Sequence, residues 1–121
     1  MSLVLVSGDL ATIARVEGEA LRRHVPLWTT TNAEQAAAHC ADQSVVLVMI
    51  DLATPSIDVA ALAPKIMSET ARGPAVVAFG PHVHDALLAA AAAAGCDEVF
   101  SRGQFFARIG EILTRYVGAA K

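Results

Sequence analysis

The sequence predicts an α/β domain: a five-stranded parallel sheet with helices on both faces. Short runs rich in Val, Leu and Ile recur along the chain and are apolar on nearly every residue, as strands buried on both faces are. Segments with the 3.6-residue spacing of an amphipathic helix lie between them. The connections are a few residues long, without linkers, repeats or low-complexity stretches. Regular alternation of this kind implies parallel strands joined by right-handed crossovers.

The first strand is Leu3–Val6, and Ile13, Val16, Ala20 and Leu21 share one face of the helix that follows. A weaker strand spans Pro26–Thr30. The second helix opens on a capping box, with Thr31 three residues before Glu34. Val45–Ile50 is the third strand. Asp58 caps a third helix that either starts late or kinks, because Pro64 removes a backbone donor beyond the first turn. The fourth strand is Ala75–Phe79, and the fourth helix runs from about His84 to Ala94, mostly alanine, stopping at Gly95. Val99–Phe100 forms the fifth strand. Phe106, Ile109, Ile112, Leu113, Tyr116 and Val117 line one face of the last helix. Five such units take the flavodoxin-like strand order 2-1-3-4-5.

A length of 121 residues makes one domain over 1–121, with no separate output domain and enough chain to bury a core unaided. Apolar residues are 55% and charged residues 17%, far from the disordered class. Nine basic against twelve acidic residues give a net charge of −3, with no Lys/Arg cluster to suit nucleic acid or a membrane surface. Cys40 and Cys96 fall in separate elements without metal-ligand spacing, as reduced thiols do. The N-terminus lacks a basic start and meets Asp9 too early for a signal peptide. The apolar stretch Ala86–Gly95 is about half the roughly 20 residues that span a bilayer. A cytoplasmic location is expected.

In this architecture ligands bind at the carboxyl ends of the strands, where the strand order reverses. Asp51 ends the third strand and Asp9 closely follows the first. Two carboxylates on one crevice repel each other unless a cation or a basic group lies between them, and Mg²⁺ with oxygen ligands fits. Arg102, just past the fifth strand, reaches the same edge. Asp9 is equally well explained as the N-cap of the first helix. Asp51 is followed by Leu52-Ala53-Thr54-Pro55, a loop that needs no cap so soon, which favours a site position.

The segment Val46-Leu47-Val48-Met49-Ile50-Asp51-Leu52-Ala53-Thr54-Pro55-Ser56-Ile57-Asp58 resembles the third strand and following loop of response-regulator receiver domains. Ala94-Gly95-Cys96-Asp97-Glu98-Val99 resembles that family's approach to its fifth strand, and the likeness runs in order over essentially the whole chain. The resemblance implies a CheY-like fold and puts Asp51 at the phosphoacceptor position. The departures are chemical. Receivers carry two adjacent acids after the first strand, where this chain has Ser7-Gly8 and a displaced Asp9. They carry Ser or Thr at the end of the fourth strand, where Phe79 and Gly80 stand, and Lys-Pro after the fifth, where Arg102-Gly103 stand. The switch aromatic corresponds to Val99. Phosphoryl transfer relies on positioning and charge neutralisation, so a lost carboxylate weakens a metal site. A phenyl ring in place of the hydroxyl removes a donor and adds bulk there, and Arg is not a Lys point charge.

The resemblance is therefore to atypical or pseudo-receivers. It implies a non-enzymatic signalling module that meets another signalling protein, for instance a histidine kinase, without the usual phosphorylation switch. No resident cofactor is expected, Mg²⁺ entering only if Asp51 accepts phosphate. The face of the fourth helix, fifth strand and fifth helix is the one receivers commonly use, also for homodimers, and Ala89–Ala94 would admit a second helix; packing on the protein's own sheet explains the alanines as well. His82 and His84, in Gly80-Pro81-His82-Val83-His84-Asp85, suit zinc, a substrate or recognition, although their i, i+2 spacing is undiagnostic and solvated loop histidines account for them. The alternatives are a divergent phosphoacceptor with Mg²⁺ on Asp9 and Asp51, and a small flavodoxin-like enzyme or cofactor domain using His82, His84 and Asp51. Trp28 is expected to pack on a helix.

Overall fold

The computed structural model describes residues 1–42, 44–68 and 73–118. Its elements alternate as expected: β1 (Ser2–Val6), α1 (Leu10–Arg22), β2 (Leu27–Thr30), α2 (Ala33–Cys40), β3 (Val45–Asp51), α3 (Val59–Ser68), β4 (Ala75–Gly80), α4 (Asp85–Ala93), β5 (Glu98–Ser101) and α5 (Arg102–Val117). All strand pairs are parallel and the sheet order is β2-β1-β3-β4-β5.

Alternate residues of each strand face opposite ways, so the sheet builds two cores. Val4, Val6, Val48, Ile50, Val76 and Ala78 pack beneath α2, α3 and α4 on Ala36, Leu62, Ile66 and Ala91. Leu3, Leu5, Leu47, Met49, Val77 and Phe79 face α1 and α5, meeting Val16, Ala20, Phe105, Ile109, Ile112 and Leu113. Burial on both sides explains the uninterrupted apolar runs of β1, β3 and β4. The edge strands β2 and β5 are only partly covered, hence their weaker patterns.

Several local expectations need correction. The N-cap of α2 is Asn32, whose side chain accepts the Gln35 amide, not Thr31. Asn is as strong a cap as Thr and lies one residue nearer the helix. The helix α3 does not start late. Asp58 accepts the Ala60 amide at its head, and Pro64 lies in its interior on the solvent side. The carbonyl four residues earlier belongs to exposed Ala60, so the donor that proline lacks is missed on the solvent side of the helix and not in the core. Leu21 is 75% exposed, because the buried stripe of α1 runs through Thr12, Val16 and Ala20. On α5 the fully buried aromatic is Phe105, with Phe106 only half-buried. Trp28 does meet a helix, its ring packing at a 30° tilt on His39 of α2 with centroids 4.6 Å apart, yet remains half-exposed. Among the described residues no helix is long and apolar enough to cross a membrane.

Candidate functional site

The carboxyl ends of β1, β3, β4 and β5 frame a crevice of about 470 Å³ lined by Gly8, Asp9, Asp51, Ala53, Thr54, Pro55, Pro81 and Arg102. Asp51 and Asp9 reach it as the sequence suggests, and so does Arg102. Asp51 is 2% exposed, held down by β1 on one side and β4 on the other. Its Oδ2 accepts the Ser7 hydroxyl at 2.8 Å and its Oδ1 accepts the Ala53 amide at 3.0 Å. A buried carboxylate needs such partners, since an unpaired charge out of water is strongly unfavourable.

Asp9 does both things the sequence left open. As N-cap of α1 its Oδ2 accepts the Thr12 amide at 3.0 Å and the Thr12 hydroxyl at 2.6 Å. The same oxygen takes Nη2 of Arg102 at 2.6 Å. The Thr12 hydroxyl, then the Thr12 amide and the Arg102 guanidinium, hold the Asp9 carboxyl below the usual carboxylate range. Arg102 stands at the first position of α5, whose start is fixed by a capping box between Ser101 and Gln104. From there it crosses the end of β4, also donates to the Thr12 hydroxyl, and brings Nη1 within 3.7 Å of Asp51 Oδ2. The Phe106 ring lies 5.3 Å from its guanidinium carbon, within cation–π range.

Phe79 pairs with Asp51 across β3 and β4 but leaves the crevice. Contrary to expectation its ring adds no bulk there. It is fully buried on the α5 side, stacked on Phe105 with centroids 3.9 Å apart and planes 8° apart. Burial of a whole aromatic surface outweighs any placement at a polar rim. Gly80 follows, itself buried, and a Cβ there would stand 3.1 Å from Leu52 Cβ, so any side chain must displace Leu52. The end of β4 therefore offers the crevice no hydroxyl. His82 and His84 are exposed on the next loop and line no part of the crevice with Asp51, although Pro81 does. His84 occupies the N-cap position of α4 without a side-chain cap bond. Among the described residues no group of three or more His, Cys, Asp or Glu could hold a metal ion. The zinc arrangement on His82 and His84 does not form.

Sequence reasoning missed Ser7, Thr12 and Phe106 as site residues. Ser7 reads as a lost acid, yet its hydroxyl donates to Asp51 and accepts the Asp9 amide at 3.1 Å. Thr12, three residues after the cap, has the spacing at which an N-cap side chain meets its helix, the one signal that could have found it. Magnesium is tested by this donor set. It demands near-octahedral oxygen ligands, whereas both Asp51 oxygens and Asp9 Oδ2 already accept hydroxyl, amide or guanidinium donors. The residues present do not fit a resident magnesium ion.

No protein-family model matches the chain, and no curated protein does. Solved structures do. The receiver domain of a response regulator from Bermanella marisrubri superposes with a TM-score of 0.80 at 18% identity, covering 97% of this chain and 99% of the other. The receiver domain of a sensor histidine kinase from Pseudomonas aeruginosa, with magnesium coordinated in its active-site cleft, gives 0.79 at 17% identity, covering 98% of each. A co-crystal of the Saccharomyces cerevisiae histidine phosphotransfer protein with the receiver domain of its downstream response regulator gives 0.79 at 13% identity, over 97% of this chain and 88% of the matched one. The chain has the receiver fold.

Proposed function

We propose that this protein is a receiver-type signalling module that acts through protein–protein contacts without the ordinary phosphorylation switch. The observation that carries the reading is the Asp51 carboxylate itself. A phosphoacceptor must present a lone pair in line with phosphorus, with a cation and a hydroxyl ready to hold the equatorial oxygens. Here both oxygens of Asp51 accept hydrogen bonds within the protein, and Arg102 flanks Oδ2. The fourth strand ends in a core phenyl ring and a glycine. Val99 at the switch-aromatic position cannot make the two-position swing of a Tyr or Phe.

The partner on this reading is another signalling protein in the cytoplasm, such as a histidine kinase or a phosphotransfer protein, of which the yeast complex gives a precedent on the same fold. A homodimer through α4, β5 and α5 belongs to the same proposal, because that flank exposes Val83 and Leu87 and leaves most of the α4 alanines uncovered. No enzymatic step is assigned. The second reading, a divergent phosphoacceptor, is favoured by one fact: Asp51 stands at the end of β3 on the crevice, in the fold whose Pseudomonas representative coordinates magnesium there.

Incubation with Mg²⁺ and a small acyl phosphate, followed by intact-mass measurement, separates the two. The expected result is no phosphoryl adduct. A stoichiometric adduct on the native chain that disappears in Asp51→Asn overturns the proposal and installs the second reading.

A further inference from the structure

The disagreement between this crevice and a magnesium site has a specific cause, independent of the signalling reading. Asp9 comes from the head of α1 and Asp51 from the end of β3, and a single planar guanidinium reaches both. Nη2 lies 2.6 Å from Asp9 Oδ2 while Nη1 lies 3.7 Å from Asp51 Oδ2, one nitrogen turned to each carboxylate. That is the use for which a guanidinium fork is better shaped than an ammonium point charge.

The group is also fixed in place rather than draped over the surface. Its root is the first residue of a capped helix, its Nη2 is shared with the Thr12 hydroxyl, and its guanidinium carbon lies over the Phe106 ring. The third member of the usual acidic set is missing in a telling way. Ser7 presents a proton to Asp51 instead of a carboxylate to a metal, and turns its lone pair to the Asp9 amide. The polar groups of the crevice are thus matched to one another with a charge of +1 between two charges of −1. A divalent ion entering here would meet a guanidinium already placed between the two carboxylates.

We infer that Arg102 is a resident cation, filling from within the chain the seat between Asp9 and Asp51 that a divalent metal would take. The charge of the carboxylate pair is cut from −2 to a net −1 on folding, without dependence on metal supply. Magnesium is excluded by charge and by occupied acceptors together. Removing the guanidinium leaves two carboxylates facing one crevice with nothing between them, so Arg102→Gln creates a divalent-cation site that the native protein lacks.

The full chain, labelled with ¹⁵N, is titrated with Mn²⁺ while the amide signals of Gly8, Asp9 and Ala53 are followed, and Mg²⁺ uptake is measured by calorimetry. The native protein is expected to show neither saturable Mg²⁺ uptake nor selective broadening at these amides. Arg102→Gln is expected to bind Mg²⁺ at least about tenfold more tightly, as removal of a like charge within contact distance requires, and Arg102→Gln/Asp51→Asn loses the gain. Selective broadening of the native crevice at the Mn²⁺ concentrations that saturate the variant overturns the inference. A variant with native circular dichroism and no gain also overturns it. Should Arg102→Gln fail to fold, the native titration still decides, since crevice broadening there is by itself enough to refute the assignment. Neither result depends on whether Asp51 accepts phosphate.

Discussion

Helices α4 and α5 flank the same strand, yet they are built on opposite terms. α5 starts on a reciprocal capping box, buries Phe105, Ile109, Ile112 and Leu113, and is tied to α1 by Arg23, which donates to the Gly110 carbonyl at 3.0 Å. α4 starts on His84 with no side-chain cap bond and buries only Ala91 completely. Its other alanines and Leu87 face solvent or the rim of the core. The helix that carries Arg102 is capped, deeply buried and tied to α1, while its neighbour packs only Leu88 and a few alanine methyl groups on the core. Charge placement in the crevice calls for the first kind of helix; a surface that adapts to a partner is well served by the second.

The widest gap between the two is in packing. Phe105→Ala empties the stack with Phe79 and is expected to lower stability by about 3–5 kcal/mol in urea denaturation, whereas Leu87→Ala on α4 stays within about 0.5 kcal/mol. Equal losses would dissolve the contrast. Next comes the one strict demand α4 makes. Gly95, with φ of +96°, ends it in a conformation that side chains disfavour, and Gly95→Ala is expected to cost about 1–2 kcal/mol by the same measurement. The helix starts give a finer test. Ser101→Ala removes the α5 cap and is expected to cost about 1 kcal/mol, while His84→Ala leaves thermal stability within about 0.5 kcal/mol. A matching loss at His84 would show a cap that the geometry does not contain.

The smallest effect concerns acid. The Asp9 carboxyl is held below its ordinary range by Thr12 and Arg102, so the folded state favours the charged form. Its contribution is complete above the unfolded value of about 3.9 and fades as pH falls through the lower folded value. Melting temperatures taken downward from about pH 5 should therefore fall less steeply in Asp9→Asn than in the native chain. Identical acid limbs would mean that the contacts of Asp9 with Thr12 and Arg102 contribute nothing to folding.

How much of this could be read beforehand follows from what each residue type signals. Strands buried on both faces announce themselves, and Asp51 at the end of such a run is conspicuous because a charge there needs a reason. Arg102 could be placed at the crevice from topology alone. The direction of Phe79 could not be fixed so simply, since one residue of strand phase decides between core and rim. Nor could the exposure of α4, because alanine suits a helix anywhere and carries little apolar area to say which face is inside. Ser7 was legible as a missing acid but not as a donor, a role that depends on the 2.8 Å approach of a residue 44 positions away.

That separation has a consequence for the order in which the protein can be made. The strand β1 lies between β2 and β3 in the sheet, and its partner β3 follows only after three intervening elements. Until then the Leu3–Val6 run has β2 alone to pair with, so collapse during synthesis waits on non-local contacts of the kind that slow folding. The link from Arg102 to Asp9 spans 93 positions, so all of the intervening chain must leave the ribosome before the crevice closes its charges. A nascent chain halted before β5 would hold two facing aspartates with no guanidinium between them, a transient state in which dissolved cations have their one opening.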